Sequence, residues 1–167
     1  MLKYISFCSL IVLILIQCIT PTAQIKREKK PQDSFLPQQL YPLYLGMPMK
    51  EFAEIKKDKA LHIGSGIMDF RIEKKEVYAD KLVESVIYYF DAESNYPLYE
   101  FIIYFHKDID IKQYVKERYG ITQSSETYCF DSGEGFTILV WYFENTLVIA
   151  GQLAGTEWES GPGIMIK

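Results

Sequence analysis

Two stretches decide how this chain is read: VIYYFDAE at Val86–Glu93 and LVWYFEN at Leu139–Asn145. Each is an apolar and aromatic run of β-favouring residues that ends on an acidic residue opening a turn. In the second, Ile138, Val140 and Tyr142 alternate with Leu139, Trp141 and Phe143, so both faces are apolar, as in a strand at the middle of a sheet. Working outward, the first run is flanked by strand-like segments at Ile67–Val77 and Leu98–Phe105, and the second by segments at Glu126–Phe130 and Thr146–Leu153. In the earliest of these, Met68, Phe70 and Ile72 alternate with Asp69, Arg71 and Glu73, the pattern of a strand with one wet face. Asp131-Ser-Gly-Glu-Gly135 and the two-residue link Glu144-Asn145 supply hairpin turns.

A helical period precedes each trio of strands. From Pro48, the residues Met49, Phe52, Ala53 and Ile55 or Lys56 recur at steps of three and four, with Pro48 in the first turn, where its missing N–H costs nothing. A second helix is expected from about Asp108, with Ile109, Ile111, Tyr114, Val115 and Tyr119 on its apolar face and Gly120 as its stop. The order is helix, three strands, helix, three strands. The expected fold class is therefore α+β: a helix-three-strand unit repeated twice, forming an antiparallel sheet with helices packed on one face. A single domain over 41–167 contains the two halves, about 46–106 and 107–154.

Upstream, QIKREKKPQDSFLPQ (residues 24–38) is polar, has two prolines and lacks a hydrophobic period, and the span 24–40 reads as a flexible linker. Before it, Lys3 and the apolar run from Tyr4 to Ile19 are the parts of an export signal over 1–23. Three fates stay open: cleavage after Ala23, lipidation of Cys18, or retention as an anchor. Leu15, Ile16 and Cys18 fit the pattern of a bacterial lipoprotein signal, while Gln17 occupies its small-residue position. Lys26, Arg27, Lys29 and Lys30 favour retention, because positive charge on that flank opposes translocation. The expected location is the periplasm, cell envelope or extracellular space, with a lipid anchor if Cys18 is modified. Membrane contact is expected only through this N-terminal segment.

Composition narrows the function. The formal net charge is −4, so there is no basic footprint for nucleic acid. Thirteen Tyr and ten Phe favour strands and large buried areas. Cys8 and Cys18 lie in the leader, so the domain keeps only Cys129, read as a small buried hydrophobe; its fold rests on packing rather than on disulfides.

The stretch LYLGMPMKEFAEI at Leu43–Ile55 resembles the start of the first helix in small outer-membrane assembly lipoproteins of the SmpA/OmlA type, whose fold is similar to the β-lactamase inhibitor protein. Gly46, Met47, Glu51 and Phe52 carry the match, and Pro48 replaces the usual hydroxyl cap. The resemblance covers about a dozen residues. It implies a small α+β module of the envelope and carries over no functional residue.

Candidate chemistry is sparse. His62 and His106 lie in different segments without metal-ligand spacing, Ser65 lacks the glycine two residues earlier that a nucleophile elbow needs, and no phosphate-binding glycine loop occurs. No cofactor is implied. The carboxylates Asp131, Glu134, Glu157 and Glu159 fall in turns or the tail. The expectation is a non-enzymatic module that binds another envelope protein through an aromatic sheet face, with Tyr88, Tyr104, Trp141 and Tyr142 as candidate binding residues. The alternative is a small carbohydrate-binding or hydrolase domain using the turn carboxylates. Oligomeric state is left open.

Overall fold

The computed structural model describes residues 27–29, 32–56, 62–63, 71–92, 96–124 and 126–159. The leader with Cys18, the loop at Gly64–Gly66 and the start of the strand expected from Ile67 lie outside these residues.

Among the described residues eight strands form one sheet: β1 (Arg27–Lys29), β2 (His62–Ile63), β3 (Arg71–Val77), β4 (Val83–Asp91), β5 (Leu98–Phe105), β6 (Tyr128–Asp131), β7 (Thr137–Phe143) and β8 (Thr146–Gly151), in the spatial order β1-β6-β7-β8-β5-β4-β3-β2. The central six strands are antiparallel throughout; β1 pairs parallel with β6, and β2 antiparallel with β3. The protein is α+β. Helix α1 (Met49–Ile55) precedes β3–β5, and helix α2 (Ile111–Tyr119) precedes β6–β8. The last strands of the two meanders, β5 and β8, pair at the centre.

Pro48 sits one residue outside α1, at its N-cap with ψ of 142°. Gly46, at φ +90°, lets the chain turn so that its N–H meets the Leu98 carbonyl at 2.7 Å, while Leu98 N–H returns to Met47 at 2.9 Å. These bonds tie the helix start to β5. Within α1 only Phe52 is buried; its ring meets Tyr88 and Phe90 edge-on at 4.8 and 5.0 Å. Of the two alternatives at the helix end, Ile55 is exposed and Lys56 is buried.

Helix α2 starts three residues later than the first acid suggested, because Asp110 is the cap: its Oδ1 accepts from Gln113 N–H at 3.0 Å. Gly120, at φ +72°, ends it, with its N–H bonded to Lys116 O at 3.0 Å. Ile111, Val115 and Tyr119 face the sheet.

One sheet face carries the main core. Val86, Tyr88, Phe90, Phe101, Ile103, Phe105, Phe130, Ile138, Val140, Tyr142, Leu147 and Ile149 pack against Phe52 of α1 and the buried residues of α2. The stretch expected as a linker differs in its second half. Two short 3₁₀ turns, Gln32–Phe35 and Gln38–Leu40, place Phe35, Leu36 and Leu40 in this core, and the Tyr119 hydroxyl donates to Phe35 O at 2.6 Å. Single 3₁₀ turns bury side chains without the extended period that marks a helix, so the polar composition hid them.

Candidate functional site

The opposite face of the sheet is built by irregularity. Along β4–β5, Tyr89 pairs with Glu100 but Phe90 with Leu98, leaving Tyr99 as an extra residue on β5. A bulge of this kind turns two successive side chains to one side. Tyr99 and Glu100 accordingly both meet the C-terminal segment that crosses this face. The Tyr99 hydroxyl donates to Glu157 Oε2 at 3.1 Å, and Arg71 Nη1 approaches the same oxygen at 3.4 Å. The Arg71 guanidinium lies 4.2 Å from the centre of the Tyr89 ring. One residue further, Trp158 meets Trp141 at 5.9 Å with rings near perpendicular, closing a small second core of Cys129, Leu139 and Ala150.

Glu100 lies beneath this cover, 4% exposed. Burial, and next the charge of Glu157, push its carboxyl up to about 7; Arg71 and Trp158 act in the other direction. The Trp158 indole N–H is buried without a hydrogen bond of standard geometry, yet lies close enough to favour the charged form of Glu100. Tyr99 is also raised, first by burial and then by Glu157.

Beyond the cover, cross-strand registers set two rows on this face: Ile87, Ile102, Val148 and Trp141, then Ser85, Tyr104, Thr146 and Phe143. Ile87, Ile102, Tyr104 and Trp141 are half-buried, and Phe143 is 49% exposed.

The four candidate binding residues therefore separate. Trp141 and Tyr104 share the face opposite the helices, Trp141 partly covered by Trp158 and Tyr104 beyond that cover. Tyr88 and Tyr142 point to the helix-covered core and are buried. Strand periodicity demands this: Trp141 and Tyr142 are neighbours, so they point to opposite faces. Tyr88 instead completes a buried polar cluster at the end of α1. Its hydroxyl donates to Glu76 Oε2 at 2.6 Å and meets the Tyr78 hydroxyl at 2.8 Å, while Lys56 Nζ reaches Glu76 Oε2 at 2.7 Å and Tyr78 at 3.0 Å. Both tyrosines are raised, chiefly by burial.

The turn carboxylates are occupied locally. Asp131 Oδ1 accepts from Gly133 N–H at 2.7 Å, and Glu159 Oε2 from Gly155 N–H at 3.1 Å. Buried Ser132 takes the N–H groups of Glu134 and Phe136 at 2.9 and 3.3 Å. Cys129 is buried and outside any disulfide. His106 Nε2 bonds Asp80 O at 2.9 Å, holding the β5–α2 connection to the turn before β4.

Sequence reasoning placed Arg71 on a wet strand face and Tyr99 among the sheet aromatics, but did not join them with Glu100. One signal was present: in LYEFIIYF a single carboxylate interrupts an apolar strand, and an acid there must be either solvated or specifically surrounded.

No family model, curated protein or solved structure matches the chain.

Proposed function

We propose that this is an exported, non-enzymatic module of the cell envelope that binds another envelope protein through the sheet face opposite its helices. The observation that carries the reading is the apolar strip Ile87–Ile102–Tyr104–Phe143, which no segment among the described residues buries. The binding residues are then Tyr104, Trp141 and Phe143, with Tyr88 and Tyr142 supporting them from the core side. The envelope location rests on the leader and on the resemblance at Leu43–Ile55, and Cys18 is the proposed acylation point. The alternative, a carbohydrate-binding or hydrolase domain, draws support from Glu100 and Glu157 lying near Trp141 and Trp158. The local bonding of Asp131 favours the protein-binding reading over it.

The two helix-and-meander halves are further proposed to be a pseudo-repeat. The antiparallel pairing of β5 with β8 supports this, since it relates the halves by an approximate two-fold axis through the sheet.

The test places a photo-reactive residue at position 104 or 143, and at exposed Lys112 of α2 as control, in the producing cell. A discrete protein adduct from 104 and 143 but not from 112 is expected. Equal labelling from both faces, or none from the sheet face, overturns the reading. Intact mass of the mature chain separately decides whether Cys18 carries acyl chains.

A further inference from the structure

Residues 32–45, which strap the helix-covered core, border a second feature away from the open sheet face. Between residues 36–43 and the last turn of α2 lies a cavity of about 420 Å³ lined by Leu36, Pro37, Gln38, Tyr41, Leu43 and Arg118. That volume falls within the range of small-molecule sites, ~300–1,000 Å³. Leu36 and Leu43 are buried and form its apolar wall, while Tyr41, at 76% exposure, stands at its rim.

Among the described residues Arg118 supplies the only charge in the lining. Its guanidinium is fixed from several directions: Nε donates to the Tyr119 hydroxyl at 3.2 Å, Nη2 to Ser34 O at 3.1 Å and also to Leu36 O. Nη1 takes part in none of these bonds. Among the described residues Arg118 pairs with no carboxylate, although the chain is acidic overall at −4. A guanidinium held in place by these bonds, half-buried beside an apolar wall and with Nη1 outside them, gives the cavity a fixed positive group.

We propose that this cavity binds a monoanionic carboxylate carried on a short apolar body. The carboxylate takes Arg118 Nη1, with Gln38 as a second polar contact, and the apolar body lies on Leu36, Pro37 and Leu43. One guanidinium with one nitrogen to spare matches a single carboxylate better than a phosphate dianion, which calls for several donors. The same chemistry is offered by a free medium-chain carboxylic acid and by the free C-terminus of a peptide ending in an apolar residue.

The full-length protein is titrated calorimetrically with octanoate and octanamide, and with acetyl-leucine and acetyl-leucinamide. Saturable one-site binding of at least one acid is expected, with its amide at least tenfold weaker, as loss of a charge-assisted pair requires. Preference for octanoate identifies a free acid as the source, and preference for acetyl-leucine a peptide end; either upholds the site. Arg118→Met should abolish binding, but it also releases the strap carbonyls. The exposed rim residue therefore decides: Gln38→Glu should weaken the acid several-fold and Gln38→Lys should strengthen it, with the amides unmoved. No saturable binding of either acid, amides equal to acids, or affinity indifferent to charge at position 38 would each overturn the proposal.

Discussion

Glu100 is a carboxyl whose ordinary value near 4.5 is raised to about 7, so the folded protein holds a proton there that the unfolded chain has released. Between those two values the native state binds more protons than the unfolded state, and stability falls as pH rises. Above about pH 7 the full cost is present, roughly 3 kcal/mol. Glu100→Gln should therefore be more stable than the parent at pH 8, with the two nearly equal below pH 4.5. Urea melts at pH 4, 6 and 8 check this, and parallel losses in parent and variant would contradict the burial argument. At the buried Lys56–Glu76 pair, Lys56→Met strands Glu76 and should cost about 3–5 kcal/mol, with Lys56→Met/Glu76→Leu recovering much of it. Thermal melts of the two variants make the comparison. Neither pair was legible in the sequence. Glu100 keeps the period of two, but Glu157 reaches it from a segment without any period, held by Tyr99, which only the bulge turns to this face; Lys56 meets Glu76 across a gap of 20 residues.

At the scale of elements, the periodic segments were legible and the aperiodic ones were not. Strands β4, β5 and β7 and helix α2 lie close to where alternation, Asp110 and Gly120 put them, because each carries its own repeat of apolar positions. The strap at 32–45 and the cover at 152–159 have no such repeat; they are held by a few large side chains, Phe35, Leu40 and Trp158. Which aromatic residues would share the open face was likewise not legible, since strand propensity says nothing about which face a helix will cover. The cover depends on Trp158 meeting Trp141, with Glu157 fixed beside it. Trp158→Ala should uncover Trp141, shifting its fluorescence emission to the red and raising its quenching by acrylamide, while far-ultraviolet dichroism stays unchanged. Unaltered quenching would mean that the cover holds without the indole.

For the whole molecule, the sequence carried the helix-and-strand order but not the pairing that turns six strands into one sheet. Hydrophobic pattern fixes which residues of a strand are buried, yet β5 is equally apolar beside any neighbour; its partner β8 lies more than forty residues away. That partner is also the last strand in chain order among the described residues. It stands between β5 and β7 and is buried along its entire length. A chain stopped after Asn145 should therefore stay unfolded rather than keep half the sheet, which dispersion of its amide NMR spectrum would report; a well-dispersed half-domain would refute this. The central seam joins the β3–β5 meander to β8, so a growing chain holds β4 and β5 without their neighbour until residues 146–151 have been made. Completion is governed by arrival of residues 146–151, and a polypeptide still waiting for them is an open thread, with the apolar edge of β5 bare to whatever it meets first.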